Sequence, residues 1–269
     1  MRVSKPDKKP LLQVQGVTVR FGGLTAIDDV SFDVEPGELL GLIGPNGAGK
    51  TTMLRAITGV VRPSAGHVTL AGQSLDGLPI HQRIRRGLSL SQQLVRPFRE
   101  LTVVDNVALA AGHDKTATPL RALAHIGRDA ELAVARDMLQ RVGIQAYENQ
   151  SPGTQPLGVL KRLEMARALA LAPSLLLLDE PLAGLNSKEA QALADTIADI
   201  NAQGTTIVLI EHNLGEVMRI CKRLVVLDNG KKIAEGEPRA VMADASVRAA
   251  YLGADTLAEH EDTTGVSHA

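Results

Sequence analysis

The chain has 269 residues, a net charge of -1 at neutral pH, 44% hydrophobic and 22% charged residues, 2% aromatics and no tryptophan. That length supports one α/β domain, or a core carrying a subdomain, with the balance of an ordinary globular protein. Near-neutral charge with so few rings supplies neither the basic surface nor the stacking platform of a nucleic-acid binder, so nucleic acid is excluded as an expected partner.

The single Cys221 has no disulfide partner in the chain and reads as a buried apolar residue of a reduced, cytosolic protein. Met1 to Pro10 is basic and contains prolines, but no apolar run follows, so it reads as a flexible lead-in and not as a secretion signal. The most apolar run, Ala168 to Leu178, is too short to span a bilayer and is broken by Pro173. The chain is therefore expected not to cross a membrane itself, while remaining able to dock on one.

Leu11 to Phe21 alternates apolar and polar residues as a half-buried strand does, and Gly22-Gly23 ends it. Val30, Phe32 and Val34 mark a second such strand, antiparallel to the first, closed by Pro36-Gly37. The buried strand Leu39 to Ile43 leads into Gly44-Pro45-Asn46-Gly47-Ala48-Gly49-Lys50-Thr51-Thr52, and a helix to Thr58 follows. The spacing G-x-x-x-x-G-K-[ST] between strand and helix is that of a phosphate loop. Its glycines let backbone N–H groups curl into an anion nest at a helix N-terminus. Lys50 then neutralises the β- and γ-phosphates, and Thr51 holds Mg²⁺.

Val68 to Leu70 is a further short strand, and Gly72 to Gly77 a loop. Gly87 to Arg99 is assigned no element; it carries the polar pair Gln92-Gln93 and then Pro97-Phe98. Thr102 to Ala111 and Ala122 to Val142 have helical periodicity, and no strand signal occurs between Leu101 and Gly158. That stretch reads as a helical insertion in an α/β core. A helix from Gly158 to Pro173 precedes the four-leucine run Leu175 to Leu178, which ends in Asp179-Glu180. A strand so uniformly apolar is buried on both faces of a parallel sheet, and acids at its carboxyl end lie where such sheets bind ligands. Asp179 suits Mg²⁺ through water, and Glu180 suits activation of an attacking water.

The helix Lys188 to Ile200 and the strand Thr205 to Ile210 lead to Glu211-His212. His212 sits at a strand end where a γ-phosphate belongs or, equally, is a solvated strand-end residue. The other histidines show no metal-ligand spacing. A hairpin through Asp228-Asn229-Gly230 and a polar tail from Ala254 complete the chain.

In this order the parts resemble the nucleotide-binding subunit of an ABC transporter, over nearly everything from Leu11 to Gly253. The resemblance implies a P-loop NTPase (ABC ATPase) fold of class α/β: a core with a parallel sheet, an N-terminal antiparallel β part and an inserted α-helical subdomain. The implied segments are a lead-in 1–10, a single domain 11–253 (core 11–90 and 158–235, helical subdomain 91–157) and a tail 254–269. It also implies ATP and Mg²⁺ as cofactors, Phe21 as the adenine-stacking aromatic, Gln93 as a nucleotide-sensing glutamine that shares Mg²⁺ with Thr51 and Asp179, Glu180 as catalytic glutamate and His212 as switch histidine.

Gln155-Pro156-Leu157-Gly158-Val159 stands where the family has Leu-Ser-Gly-Gly-Gln, so Gly158 alone remains of the segment that family members offer to a partner's nucleotide. Pro156 supplies neither hydroxyl nor N–H, although a proline at a helix start leaves the helix intact. Asn186 stands where many relatives have Asp. These features, with Arg162-Leu163-Glu164 and Ala250-Tyr251-Leu252-Gly253, look most like the branch serving branched-chain and hydrophobic amino acid importers.

The implied assembly is a second ATPase subunit, identical or different, two membrane-spanning permease subunits and a solute-binding protein, at the cytoplasmic face of the inner membrane. Phe98 is either a docking contact with a membrane subunit or a core residue of the helical part. Two alternatives differ in class: an exporter that extracts lipid, and a non-transport ABC ATPase acting on nucleic acid. The second lacks its expected coiled-coil insertion or tandem ATPase half here. A P-loop kinase or GTPase lacks the Gln93 and His212 elements, and no Asn-Lys-x-Asp sequence is present.

Overall fold

A computed structural model describes residues 9–91, 97–112 and 128–252. The chain divides into two compact units, Met1–Ile80 with Leu209–Ala269, and His81–Val208.

In the first unit, β1 (Leu12–Phe21) pairs antiparallel with β2 (Leu24–Val34) and β4 (Ala65–Leu70), and β5 (Gln73–Ser74) adds to β4, in the order β2-β1-β4-β5. Leu12, Val14, Val17 and Val19 are buried, as the alternation requires. β2 starts six residues before Val30, because Thr25 and Ile27 pair with Arg20 and Val19 although Leu24 to Asp29 show no apolar–polar alternation that continues into Val30. β5 occupies part of the stretch read as loop; two residues carry no periodicity, and only pairing of Ser74 and Gln73 with Thr69 and Leu70 defines it.

β3 (Leu39–Ile43), buried at every position, runs parallel to β9 (Arg223–Asp228), and β9 pairs antiparallel with β10 (Lys231–Gly236). Helix α1 (Lys50–Thr58) follows β3 through the glycine-rich turn.

The second unit opens with α2 (Ile80–Arg85), whose first residue belongs to the other unit, and β6 (Leu88–Ser91). β6 runs parallel to β7 (Leu175–Asp179), with Leu88 opposite Leu175 and Ser91 opposite Leu178. It corrects the sequence reading, which assigned no strand there: Leu-Ser-Leu-Ser carries too few apolar residues to mark a buried strand, yet Ser89 and Ser91 are buried with Leu88, while Leu90 is half-buried. β8 (Thr206–Ile210) lies on the far side of β7 and runs on into the first unit.

Helices α3 (Val103–Ala111), α4 (Asp129–Arg141) and α5 (Leu157–Leu169) pack together around Val103, Val107, Ala135, Leu139 and Leu163, and α6 (Ser187–Ala202) also packs on α5. Thr102 Oγ1 caps α3 by accepting the Asp105 N–H at 3.2 Å. Among the described residues no strand occurs between 101 and 157. Residues 122–127 of the expected Ala122 to Val142 helix lie outside the description, and α4 accounts for the rest.

In the first unit, α7 (Leu214–Ile220) and α8 (Pro238–Ala243) follow β8 and β10, and residues 245–252 are helical. The expected burial of Cys221 is met: the residue is 6% exposed, and desolvation pushes its thiol pKa far above the ordinary range.

Candidate functional site

β3 delivers the chain into the Gly44–Thr52 turn. Gly44 has φ 150°, and a Cβ there would lie 2.1 Å from the Leu227 carbonyl oxygen in β9, so no side chain fits. Gly49 has φ 100° and caps α1 without a side-chain hydrogen bond. No acid lies in the first turn of α1, which leaves that end polarised toward an anion. Lys50 folds back over the loop: its Nζ donates to Gly44 O at 2.7 Å and Pro45 O at 2.9 Å, and it is 7% exposed. Thr51 and Thr52 are half-buried in the first turn; Asn46 and Gly47 are exposed, while Pro45 and Ala48 are buried.

In the same unit, Phe21 ends β1 opposite Leu24 at the tip of the β1–β2 hairpin, half its surface exposed. His212 follows β8 with an exposed ring, and the Glu211 carboxylate beside it has no exposed surface. Tyr251, in the C-terminal helical stretch, was given no role by the sequence. Its buried hydroxyl faces the Gly44 backbone N–H, and burial, partly offset by that N–H, pushes its pKa up to about 12.

In the second unit, Leu175 to Leu178 are wholly buried and Asp179 is half-buried at the strand's carboxyl end. Glu180 adopts φ 48°, a left-handed conformation unfavourable for any residue with a Cβ. Two donors hold its carbonyl: the Lys161 ammonium at 3.1 Å and the Ala183 N–H at 3.2 Å. Lys161, 6% exposed, is a residue that sequence reasoning missed, since a lysine on a helix signals a solvated face.

α5 begins directly after Pro156, which caps it without a side-chain hydrogen bond, so the helix survives as expected. Gly158 lies in its first turn, and a Cβ there would meet only Glu189 and Leu185, at 3.8 and 3.9 Å. Nothing within the unit demands glycine at that position. Asn186 caps α6 reciprocally: its side chain accepts from Glu189 N at 3.0 Å, and Glu189 Oε2 accepts from Asn186 N at 3.1 Å. Phe98 is half-exposed under the Arg167 guanidinium, 5.3 Å from the ring centroid, and its N–H donates to Asn106 Oδ1 at 2.8 Å.

The first unit thus gathers Gly44 to Thr52, with Phe21 and His212 on separate elements, and the second carries Asp179, Glu180 and Gly158. Gln93 and its neighbour Gln92 lie outside the described residues. Among the described residues no cluster of three or more His, Cys, Asp or Glu could by itself hold a metal.

Residues 27–183 match the ABC transporter family model, and residues 231–256 match that of the branched-chain amino acid ATP-binding cassette transporter. The chain is 40% identical over 252 residues to the high-affinity branched-chain amino acid transport ATP-binding protein LivG of Escherichia coli strain K12, covering 91% of this chain and 98% of LivG. It is 35% identical over 243 residues to the lipopolysaccharide export system ATP-binding protein LptB of Acidithiobacillus ferridurans, covering 90% and 97%. The crystal structure of the ADP conformation of MJ1267, an ATP-binding cassette of an ABC transporter, superposes with a TM-score of 0.80 at 28% identity, over 91% of this chain and 99% of that one.

Proposed function

The chain belongs to the ABC transporter family of ATP-binding subunits, and from that premise we propose that it closes head to tail with a second ATPase subunit on Mg-ATP to drive import of branched-chain or related amino acids. The observation that carries the solute class is the match of residues 231–256 to the branched-chain cassette, beyond residues 27–183 that match the general ABC transporter model. The 40% identity to LivG supports the same class.

The residues divide the work as follows. The N–H groups of Gly44 to Thr52 and the Lys50 ammonium take the β- and γ-phosphates, and Phe21 stacks on adenine. The Thr51 hydroxyl and the Asp179 carboxylate are hard oxygen donors of the kind Mg²⁺ prefers, with Gln93 as a further ligand. When bound, Mg²⁺ neutralises charge across the β- and γ-phosphates. Glu180 orients the attacking water, while His212 and Gln93 read the γ-phosphate. Gly158 is offered to the nucleotide held by the partner ATPase; its freedom from steric need inside its own unit supports an approach from outside. Pro156 removes the usual hydroxyl from that contact.

Two permease subunits and a solute-binding protein complete the assembly, with this chain peripheral at the cytoplasmic face of the inner membrane. No helix of the described residues is long and apolar enough to cross a membrane. Residues 11–90 and 158–235 form the nucleotide core in this reading, 91–157 the helical subdomain, and 1–10 and 254–269 the flanking segments. A second reading, export by lipid extraction, draws on the LptB similarity.

Two measurements test the proposal. Cells lacking this chain are expected to lose uptake of labelled leucine, isoleucine or valine, and to regain it with the wild-type chain but not with Glu180→Gln. Unchanged uptake together with altered surface lipid overturns the import reading in favour of export. The solution mass of Glu180→Gln is expected to double with Mg-ATP, with Lys50→Ala as the nucleotide-blind control. A persistent, ATP-bound monomer rules out pairing of identical copies and leaves a second, different ATPase subunit as the partner.

A further inference from the structure

β8 is buried at all five positions, and the chain then turns sharply in environment: the Glu211 side chain has no exposed surface, while the next side chain, His212, is 59% exposed. One carboxylate oxygen lies under both parts of His212. Glu211 Oε2 accepts the His212 backbone N–H at 3.2 Å and stands 3.9 Å from the ring Nδ1. The segment is pinned on either side, by β8 before it and by Asn213, whose side chain accepts the Glu216 N–H at 3.3 Å to cap α7. The backbone of His212 is therefore held, and what remains to its ring is rotation about two side-chain bonds.

We propose that Glu211 is a positioning residue for His212, its buried carboxylate holding the imidazole with Nδ1–H turned inward so that His212 meets its ligand through Nε2 alone. Glu211 Oε2 already acts as an acceptor, from the His212 backbone N–H, so a ring nitrogen that hydrogen-bonds to the same oxygen must carry the proton. A neutral imidazole has one N–H; once Nδ1 holds it, Nε2 is the outward lone pair. A ring movement of about 1 Å closes the present gap to hydrogen-bond length. Without the carboxylate, an imidazole this exposed is free to turn either nitrogen outward. The inference rests on the reading of His212 as the residue that meets the γ-phosphate.

The test uses the full chain with ¹⁵N-labelled histidine, the His212 signals being assigned by their loss in His212→Ala. Above the range where the ring protonates, the wild type is expected to show the Nδ1–H form of His212. Glu211→Ala is expected to shift it to mainly Nε2–H, and Glu211→Gln, whose amide oxygen still accepts, to retain Nδ1–H. In ATP hydrolysis, Glu211→Ala is expected to lower kcat about 10- to 100-fold with KM for ATP within about twofold. Glu211→Gln is expected to recover most of that loss, and Glu211→Ala to cost nothing further in a His212→Ala background.

Glu211→Met, which fills similar volume without an acceptor, repeats the comparison should the alanine variant fail to fold. An unchanged tautomer in a folded acceptor-free variant overturns the proposal, as do losses from Glu211→Ala and His212→Ala that multiply independently. A γ-phosphate role for His212 fails separately, if His212→Ala hydrolyses ATP at the wild-type rate while the tautomer still depends on Glu211.

Discussion

Glu180 shows how one residue is held where no local preference would place it. At φ 48° its backbone costs about 1–2 kcal/mol relative to glycine, and the lysine ammonium of α5 and the Ala183 N–H on its carbonyl offset that cost. Strain of this kind persists where the surrounding structure over-determines a conformation, and here it sets the side chain that follows the Asp179 strand. Glu180→Gly is accordingly expected to raise Tm by about 2–4 °C, since glycine adopts this φ freely. The same change is expected to lower ATP turnover about 100-fold or more, because the carboxylate is gone. Thermal unfolding beside phosphate release checks both signs; a fall in Tm means that the side chain, and not the backbone angle, dominates the energetics there.

Helix α6 explains a residue that departs from the family's pattern. Asn186 closes a reciprocal cap with Glu189, a task in which the amide oxygen serves as well as a carboxylate. Asn186→Asp is expected to leave stability within a few tenths of a kcal/mol, and Asn186→Ala to cost about 1 kcal/mol, in urea unfolding. Equal losses for Asp and Ala would show that the amide's neutrality, and not its acceptor, is what the helix start uses. The turn into α1 behaves differently. It has no side-chain cap at all, while Gly44, pressed against the Leu227 carbonyl, keeps the loop seated on β9.

Arg223 binds together parts of the first unit that the chain keeps far apart. From the start of β9 its guanidinium donates to Glu38 at 2.7 and 2.9 Å, to Asp33 at 3.3 Å and its carbonyl at 2.7 Å, and to Glu235 on β10. These acids hold its pKa above the ordinary arginine value. One cation thus joins the turn before β3, the end of β2 and the β9–β10 hairpin. Arg223→Ala is expected to destabilise the chain by about 1–3 kcal/mol in urea unfolding, since Glu38 and Asp33 lose their cation and Glu235 is left with Lys232 alone, at 2.6 Å. Arg223→Lys is expected to recover only part of this, because an ammonium cannot present two parallel N–H groups to Glu38. Full recovery by lysine would reduce the network to simple charge neutralisation.

By itself the sequence determined the strand–loop–helix around Lys50, the leucine strand ending at Asp179, the antiparallel start and the β9–β10 hairpin. Each of these is written in contiguous residues: glycine where φ must be positive, unbroken apolar runs where both strand faces are covered, and alternation where one is. Only the tertiary structure decided that Leu88–Ser91 is a strand, since its serines are buried by pairing with β7 and not by any pattern of their own. It likewise decided that Lys161 holds the Glu180 carbonyl, that Tyr251 faces the phosphate loop, that Arg223 gathers three acids, and that Glu211 lies wholly buried under an exposed His212. The physical reason is the same each time. Burial and the choice of hydrogen-bond partner are set by which distant segments pack together, and residue order along the chain carries no direct record of that.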